Sequence, residues 1–534
     1  MTSTAEIRAR RRRGQKGWLG ALLLRLHFYA GILVGPFILV AATSGALYVM
    51  TPQVEEAVYA DVLHADSTET TLTLGEQITI AEEHVDGAAP LSAVRPAPEP
   101  GDTTRVMYAQ EGLGESESRA IFIDPGSGAI RGDLTVYGTS GSLPLRTWLD
   151  QLHRGLHLGD AGRLYSELAA SWMWIVASAG LLLWIVRTWT SRAHKASRVS
   201  SSSRGVEAQR RGRPAARPTG RRRLLRWHSS IGLVVVLAAL FLSATGMTWS
   251  QNAGANITSL RAALDWGTPA VTTTLGDTQE MPDDHADHAE HADHADHADH
   301  ADHAEHDSAM PDAMPAEMGD MAGGPVPEHF DHIMEVARGV NIDSDAVEIL
   351  PPMGPDEAWV VQEIHRSYPT QVDAVAIDGS TLEVVDRVDF ENFGLIAKLA
   401  RWGVDIHMGT MFGLVNQIVL ALVALGIASM VVLGYAMWWK RRPPRATGIA
   451  MGPRPRRGSL RRAPWWGVVA IAVVAAGVGV VIPLVGWTLI GFLALDLLLG
   501  FFGGRRADPP GPSEPSAREA DSSAEPESTT LPTS

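Results

Sequence analysis

The sequence predicts a membrane protein: an all-α transmembrane bundle of about six helices, the first four forming a parallel internal repeat, with two small α+β domains outside the bilayer. Three observations predict it. Apolar residues gather in long blocks, basic and acidic segments alternate between those blocks, and one pattern of residues occurs twice. The 534 residues are 45% hydrophobic, and nearly uncharged runs occupy Phe28 to Met50, Leu168 to Val186, Ser229 to Met247 and Phe412 to Trp439. Each is close to the roughly 20 residues a helix needs to cross a bilayer. A fifth block, Trp465 to Phe502, is too long for one crossing, and Pro483 in "VVIPLVGW" is expected to separate two short helices.

Charge sets the expected orientation. Six basic residues precede the first span, 11 lie between Ser191 and Arg223, and nine lie between Lys440 and Arg462. Short basic loops stay in the cytoplasm. The acidic segments from Thr51 to about Ser166 and from Ser250 to about Met411 are then extracytoplasmic, so the net charge of −15 sums regions on opposite sides of a bilayer. Topology also accounts for the Arg-rich loops, and no nucleic-acid partner is expected. The start "RARRRRGQKGWLGALLLRLHFYAG" reads as an uncleaved first span, because its apolar run is too long for a signal peptide and lacks a small-residue cleavage site.

The expected order is a basic N-terminus (1–17), a first span (18–50), an outer domain (51–152), and an outer histidine segment with the second span (153–190). A basic loop (191–223), a third span (224–250) and a second outer domain (251–406) with an insertion at 267–327 follow. A further histidine segment with the fourth span (407–440), a basic loop (441–463), a helical hairpin (464–503) and an acidic tail (504–534) complete the chain. Both termini are expected in the cytoplasm of a cell bounded by a bacterial-type plasma membrane.

The chain has no cysteine. Disulfides, iron–sulfur clusters, thiol catalysis and covalent haem attachment are therefore excluded. The sequence also carries no G-x-G-x-x-G at a strand-to-helix junction and no Walker loop, so no nucleotide or flavin site is expected. Any redox centre must use other ligands.

The repeat singles out four histidines. His27 precedes Gly31 by four residues and Gly45 by 18, and His228 precedes Gly232 and Gly246 by the same intervals. His153 precedes Gly180, Trp184 and Arg187 by 27, 31 and 34, as His407 precedes Gly434, Trp438 and Arg441. Asp124 and Asp378 each lie 29 residues before the second histidine of their copy. Both copies enter the membrane in the same direction, so their pseudo-twofold axis runs along the membrane normal and sets equivalent residues face to face. His27 is expected opposite His228 near the cytoplasmic side, and His153 opposite His407 near the outer side. Imidazole is a good axial ligand for haem iron, and bundles build cofactor sites from facing helices. Gly31 and Gly232, one turn after their histidines, would let a flat macrocycle approach the backbone. His157 rivals His153, because residues four apart share a helix face. Interfacial histidines hydrogen-bonded to head groups or neighbouring helices are the alternative for all four.

These residues carry a family likeness. "LHFYAGILVGPFILVAATSGALYVMTPQVE", "LHRGLHLGDAGRLYSELAASWMWIVASAGLLLW", "SSIGLVVVLAALFLSATGMTWSQNAGANI" and "DIHMGTMFGLVNQIVLALVALGIASMVVLGYAMWWKRR" resemble the PepSY-associated transmembrane proteins, also called iron-regulated membrane proteins. The resemblance covers about Leu26 to Arg442 without the insertion. It implies two extracytoplasmic PepSY-like domains, centred on Asp124-Pro125 and Asp378-Gly379, the second departing from the usual pattern by lacking the proline. It also implies a reductase with two b-type haems that passes electrons outward to ferric siderophores, with its axial histidines at His27, His153, His228 and His407. A quinol or a separate reductase would be the donor, and a ferric siderophore or metal ion the acceptor.

The insertion contains "HADHAEHADHADHADHADHAEH", with histidines at His285, His288, His291, His294, His297, His300, His303 and His306. A period of three suits an extended chain rather than an α-helix, and Ala and Asp cannot build a core. Imidazole and carboxylate together suit labile Cu, Zn or Fe, and Met310, Met314, Met318 and Met321 add thioethers that favour Cu(I). A copper- or zinc-binding role for this loop, and a regulatory role of the outer domains toward a partner, stand as alternatives to reduction.

Overall fold

Described in the computed structural model are residues 18–85, 89–114, 116–201, 220–275, 326–441 and 463–502. The first apolar block forms α1 (Trp18–Leu33) and α2 (Gly35–Tyr48). Short helices α3 (Thr51–Val58) and α4 (Ala60–Leu63) lead to α5 (Leu74–His84) and strands β1 (Leu91–Arg95), β2 (Thr104–Tyr108), β3 (Glu117–Ile123) and β4 (Ile130–Tyr137). Helix α6 (Pro144–Gly155) then precedes the long α7 (Gly159–Ser201). The second copy runs through α8 (Gly220–Met247), α9 (Gln251–Ala263), α10 (Glu328–Val340) and strands β5 (Val347–Leu350), β6 (Trp359–Glu363), β7 (Ala374–Ile377) and β8 (Val384–Val388). It ends in α11 (Leu395–Met408) and α12 (Gly413–Trp439), after which α13 (Trp465–Val481) and α14 (Pro483–Phe502) form the hairpin.

Among the described residues, three helices are long and apolar enough to cross a membrane: Gly159–Ser191 within α7, α8 and α12. The pair α1 and α2 also qualifies when taken together, but it bends by 62°. The apolar stretches described in the hairpin helices, Trp465–Val481 and Pro483–Leu495, are shorter, so by length and composition the described residues support three spans, or four with the bent pair. Pro483 does open the second hairpin helix. The four main spans close a ring, because α7 packs on α1 and α8, while α12 packs on α8 and α2. The hairpin leans on the outside of that ring, where Trp172 donates to Thr488 Oγ1 at 2.9 Å.

The bend has a local cause. Pro36 has no N–H for the Ile32 carbonyl and its ring obstructs a continuous helix. Two phenols from neighbouring spans satisfy the carbonyls left at the break: Tyr435 donates to Ile32 O at 2.7 Å and Tyr165 to Leu33 O at 2.8 Å. In the second copy, Val236 and Leu237 stand at the positions of Gly35 and Pro36, and α8 runs unbroken. A carbonyl stripped of its partner in an apolar setting costs about 1–3 kcal/mol. Tyr435→Phe is therefore expected to lower the thermal unfolding midpoint of the detergent-solubilised protein, and Tyr435→Phe with Tyr165→Phe to lower it further. An unchanged midpoint in the double variant would show that the break needs no capping.

The two α+β segments, expected as two small extracytoplasmic domains, form one layer. Each contributes a helix and four antiparallel strands, and the strands join in the order β4-β3-β2-β1-β5-β6-β7-β8. The seam between β1 and β5 is a single register pair, Val94 with Ile349. Side chains compensate for so short a backbone seam. Ile78, Val106 and Ile121 of the first half share one hydrophobic core with Phe330, Ile333 and Val361 of the second. Asp331 of α10 accepts from the first backbone amides of α5, Leu74 N at 2.8 Å and Gly75 N at 2.9 Å, beside a capping box between Thr73 and Glu76. One half thus caps the helix of the other.

The aspartates that marked the repeat build its hairpin turns. Asp124 Oδ1 accepts from Gly126 N at 2.8 Å, and Asp378 Oδ1 from Ser380 N at 2.7 Å. Burial would raise the Asp124 carboxyl, but donors from Gly126, Ser127 and Asp66 hold it below its ordinary value. Gly128 takes a positive φ of 73° in the first turn, and Leu382 takes 59° at the equivalent place in the second. The turn geometry survives both the loss of the proline and the loss of that glycine.

Candidate functional site

The repeat brings its histidines together in two pairs. His27 on α1 faces His228 on α8 with ring centroids 6.1 Å apart and planes at 80°. His153 and His407 face each other at 6.5 Å and 85°. The first pair lies on the helices far from the sheet, the second on the sheet side. His153 and His407 are each presented by the last turn of a short helix, α6 or α11, that precedes a main span.

Second nitrogens fix the tautomers of three rings. His27 Nδ1 lies 2.8 Å from Val176 O and His153 Nδ1 lies 2.9 Å from Ala41 O; a carbonyl only accepts, so both nitrogens carry the proton. His153 Nδ1 also lies 3.2 Å from Ser44 Oγ, whose own proton goes to Val40 O. His407 Nδ1 lies 2.6 Å from Thr245 Oγ1, and that hydroxyl donates to Phe241 O, so the ring is again the donor. In each case the lone pair is left on Nε2. His228 Nδ1 makes no hydrogen bond of ordinary geometry, although the backbone acting on it is that of Met430, the repeat equivalent of Val176. Ser44 and Thr245 are likewise repeat equivalents, so the orienting shell obeys the same symmetry as the ligand candidates. That shell could have been found in the sequence, where Ser44-Gly45 and Thr245-Gly246 recur in register.

Glycine gives the imidazoles room where they pack on a neighbouring helix. A Cβ at Gly45 would stand 3.1 Å from His153 Cε1, and one at Gly180 would stand 3.0 Å from His27 Cε1. Gly246 repeats the first approach more loosely, at 3.6 Å from His407 Cε1. Of the two glycines expected to admit a macrocycle, Gly31 meets open space and Gly232 faces the Met430 side chain.

His157 is not equivalent to His153. Helix α6 ends at Gly155, and Leu156 and His157 take positive φ values of 56° and 54°. The shared face that four-residue spacing would create is lost, and the His157 ring lies on Trp148 at 4.9 Å instead. His285, His288, His291, His294, His297, His300, His303 and His306 lie outside the described residues, as do Met310, Met314, Met318 and Met321.

A cavity of about 470 Å³ opens at the His153–His407 pair. Phe37, Ile38, Ala41, Leu420 and Ile427 line its apolar part beside His153 and His407. Trp249 lies edge-on to His407 at 5.5 Å. The sheet-side end of the cavity is polar and rich in arginine, with Arg154, Arg163, Arg366 and Arg401. These arginines were not legible as site residues, because they come from separate segments.

What could such a pair hold? A metal sits about 2.0–2.1 Å from an imidazole nitrogen. Adding about 1.1 Å from nitrogen to ring centre, two rings sharing one metal stand about 6 Å apart by that bond length. Both observed separations fit. Two facing imidazoles are too few for a bare ion, and no group of three or more His, Asp or Glu side chains suited to a metal occurs among the described residues. A pair of imidazoles would suit an iron whose remaining positions a porphyrin fills. A proton on Nδ1 held by a carbonyl or hydroxyl is the usual way of orienting a ligating histidine.

A family model, the PepSY-associated TM region, matches residues 24–441. Comparison with curated proteins gives no match.

Proposed function

The chain belongs to the PepSY-associated TM region family, and from that premise we propose that it is an integral membrane electron-transfer protein holding two b-type haems. His27 with His228, and His153 with His407, would be the axial ligands. Haem would supply one-electron redox chemistry. The residues orient and insulate it: Val176, Ala41 and Thr245 fix the ligand tautomers, and the apolar wall of Phe37, Ile38 and Leu420 keeps water from the outer centre. The proposed reaction is reduction of an extracytoplasmic metal complex, a ferric siderophore or a related species. The donor would be a quinol or a separate reductase. The observation that carries this reading is the pair of imidazole couples, each at a separation suited to one shared metal.

The orientation belongs to the same proposal: both termini in the cytoplasm of a bacterial-type plasma membrane, and the sheet outside. Because the chain has no cysteine, single cysteines report topology cleanly. Thr381→Cys on the sheet is expected to react with an impermeant maleimide in intact spheroplasts, and Arg221→Cys at the start of α8 only after permeabilisation. The opposite pattern would invert the topology.

Purified wild type is expected to carry about two haems per chain, one per imidazole couple, with reduced-minus-oxidised bands typical of two-histidine coordination. Deleting Asp284 to Met321 is expected to leave that spectrum unchanged, since the repeat is complete without the insertion. The insertion would then serve to gather labile Cu, Zn or Fe outside the membrane. A protein that binds no haem, even when haem is added, sinks the redox reading. If the deletion alone abolishes a metal-dependent growth phenotype while His27→Ala is tolerated, the insertion is the working receptor.

A further inference from the structure

One buried acid has no part in the function proposed above. Glu55, on α3, keeps only 10% of its side chain exposed. Its Oε1 makes no hydrogen bond of ordinary geometry, although the backbone of Leu143 and Arg146 at the start of α6 acts on the carboxylate. Acids that only hold this fold together look different. Glu167 accepts from Asn252 N on one oxygen and Ala253 N on the other, both at 3.0 Å. Glu363 accepts from Ser344 N at 2.8 Å on one oxygen and Asp373 N at 3.2 Å on the other.

A chain of contacts runs from Glu55 to the cavity. Arg146 brings Nη1 to 4.0 Å from Glu55 Oε2 and donates through Nε to Tyr48 Oη at 3.2 Å, with its guanidinium 5.1 Å from the centre of that ring. Tyr48 lines the cavity and donates to the sulfur of Met408 at 3.8 Å, and Met408 follows His407 in the chain. The repeat does not impose this arrangement. At the intervals that relate the two copies, Tyr48, Glu55 and Arg146 correspond to Trp249, Asn256 and Ala400, so phenol, acid and base are absent together from the second copy. The other charged groups nearby are few. Arg105 of β2 also acts on Glu55, and Asp150 of α6 acts on Arg146. Glu56 is exposed and pairs with His64, which also approaches Asp102, and Asp61 of α4 is exposed. Burial pushes the Glu55 carboxyl above its ordinary value, against the pull of Arg146 and then Arg105.

We propose that Glu55 exchanges a proton with water on the sheet side in step with the charge at the His153–His407 pair, Arg146 and Tyr48 carrying the electrostatic link. This coupling rests on the haem reading above. Glu55 takes one proton from water, on the unpartnered Oε1, as one electron from the quinol or reductase reaches the site held by that pair. It returns the proton to water when the electron passes to the metal complex. Negative charge added in an apolar setting raises the proton affinity of a nearby carboxylate, and the coupling is reciprocal, so a proton on Glu55 also favours reduction. The midpoint potential of that site therefore falls as pH rises through the range in which Glu55 titrates. Glu55 acts through its neighbours and is a positioning residue rather than a catalytic one.

The test compares full-length wild type, Glu55→Gln, Glu55→Asp and His64→Gln in detergent. Both haem signals are titrated potentiometrically at a series of pH values, and infrared difference spectra follow protonated carboxyls. The sheet-side signal, identified by its loss in His407→Ala, is expected to fall in potential with rising pH. That dependence shrinks by about half or more in Glu55→Gln, the measure of the coupling between electron and proton. It recovers in part in Glu55→Asp and stays as in wild type in His64→Gln, while the other haem signal responds to neither Glu55 substitution. A carboxyl band appears on reduction of wild type and is missing from Glu55→Gln. If Glu55→Gln does not fold, the wild-type band and its displacement in Glu55→Asp decide the matter. Two haems with the same pH dependence in wild type and Glu55→Gln, or no carboxyl band on reduction, overturn this proposal and leave the haem reading standing. A dependence flattened by His64→Gln instead assigns the proton to His64 and overturns the role of Glu55. A protein that binds no haem overturns the coupling together with the haem reading.

Discussion

His407→Ala is expected to remove one of two haem signals and leave the other intact. His153→Ala should reproduce it, because in the proposed reading both residues would serve one centre and a single remaining imidazole would not hold it. His27→Ala and His228→Ala should delete the complementary signal, so that each variant retains about half the haem of wild type, one centre of the two-histidine kind remaining. His157→Ala should change neither, since its ring packs on Trp148. Loss of the orienting hydroxyl by Thr245→Ala should weaken the outer centre more mildly, by about 10–100-fold in affinity, the usual cost of losing a partner that orients a ligand. The measurement is haem stoichiometry with reduced-minus-oxidised spectra on purified protein. Retention of both signals in all four single variants would show that the paired imidazoles are structural.

The pairing was legible in the sequence because a parallel repeat converts equal intervals into facing positions. His27 to Gly45 and His228 to Gly246 needed no coordinates to be matched. What breaks the repeat was harder to see. Pro36 bends the first span and has no counterpart in α8, although its helix-breaking chemistry was present in the sequence from the start. The choice between His153 and His157 turned on where α6 ends, a matter of left-handed residues at Leu156 and His157 that periodicity does not encode. Fusion of the sheet layer depends on edge strands β1 and β5 meeting across some 250 residues of chain. Local pattern carries no information about which edge finds which. The arginines of the outer cavity escaped notice for the same reason: each reads alone as a surface charge, and only the fold gathers them.

The seam between the sheet halves is the second place where one substitution should matter greatly. Glu348→Ala is expected to destabilise the sheet layer by about 3–5 kcal/mol, the usual consequence of leaving one member of a buried ion pair alone. Arg95 donates through Nε at 2.9 Å and lies 2.7 Å through its terminal nitrogen from the same Glu348 oxygen, with only 8% and 7% of the two side chains exposed. The other Glu348 oxygen accepts from Gln362 at 2.7 Å, and Arg95 also donates to Thr139 O at 2.6 Å. This network lies beside the only register pair that joins β1 to β5, among the described residues, and Thr139 itself lines the outer cavity. Removing the carboxylate leaves the guanidinium desolvated at the weakest point of the sheet. Arg105, already pulled down to about 10 by burial and then by the charge of Arg95, would lose the acid that offsets its neighbour. If the cost is the orphaned charge rather than lost packing, Arg95→Met with Glu348→Met should recover most of it, because an apolar pair of similar volume escapes desolvation altogether. Denaturant unfolding of the full chain in detergent, followed by the near-ultraviolet signal of Trp359 beside Phe330, reads the sheet core directly. A double variant as unstable as Glu348→Ala would mean that the ion pair specifies how the two edges meet, and that its removal unzips the seam whatever replaces it.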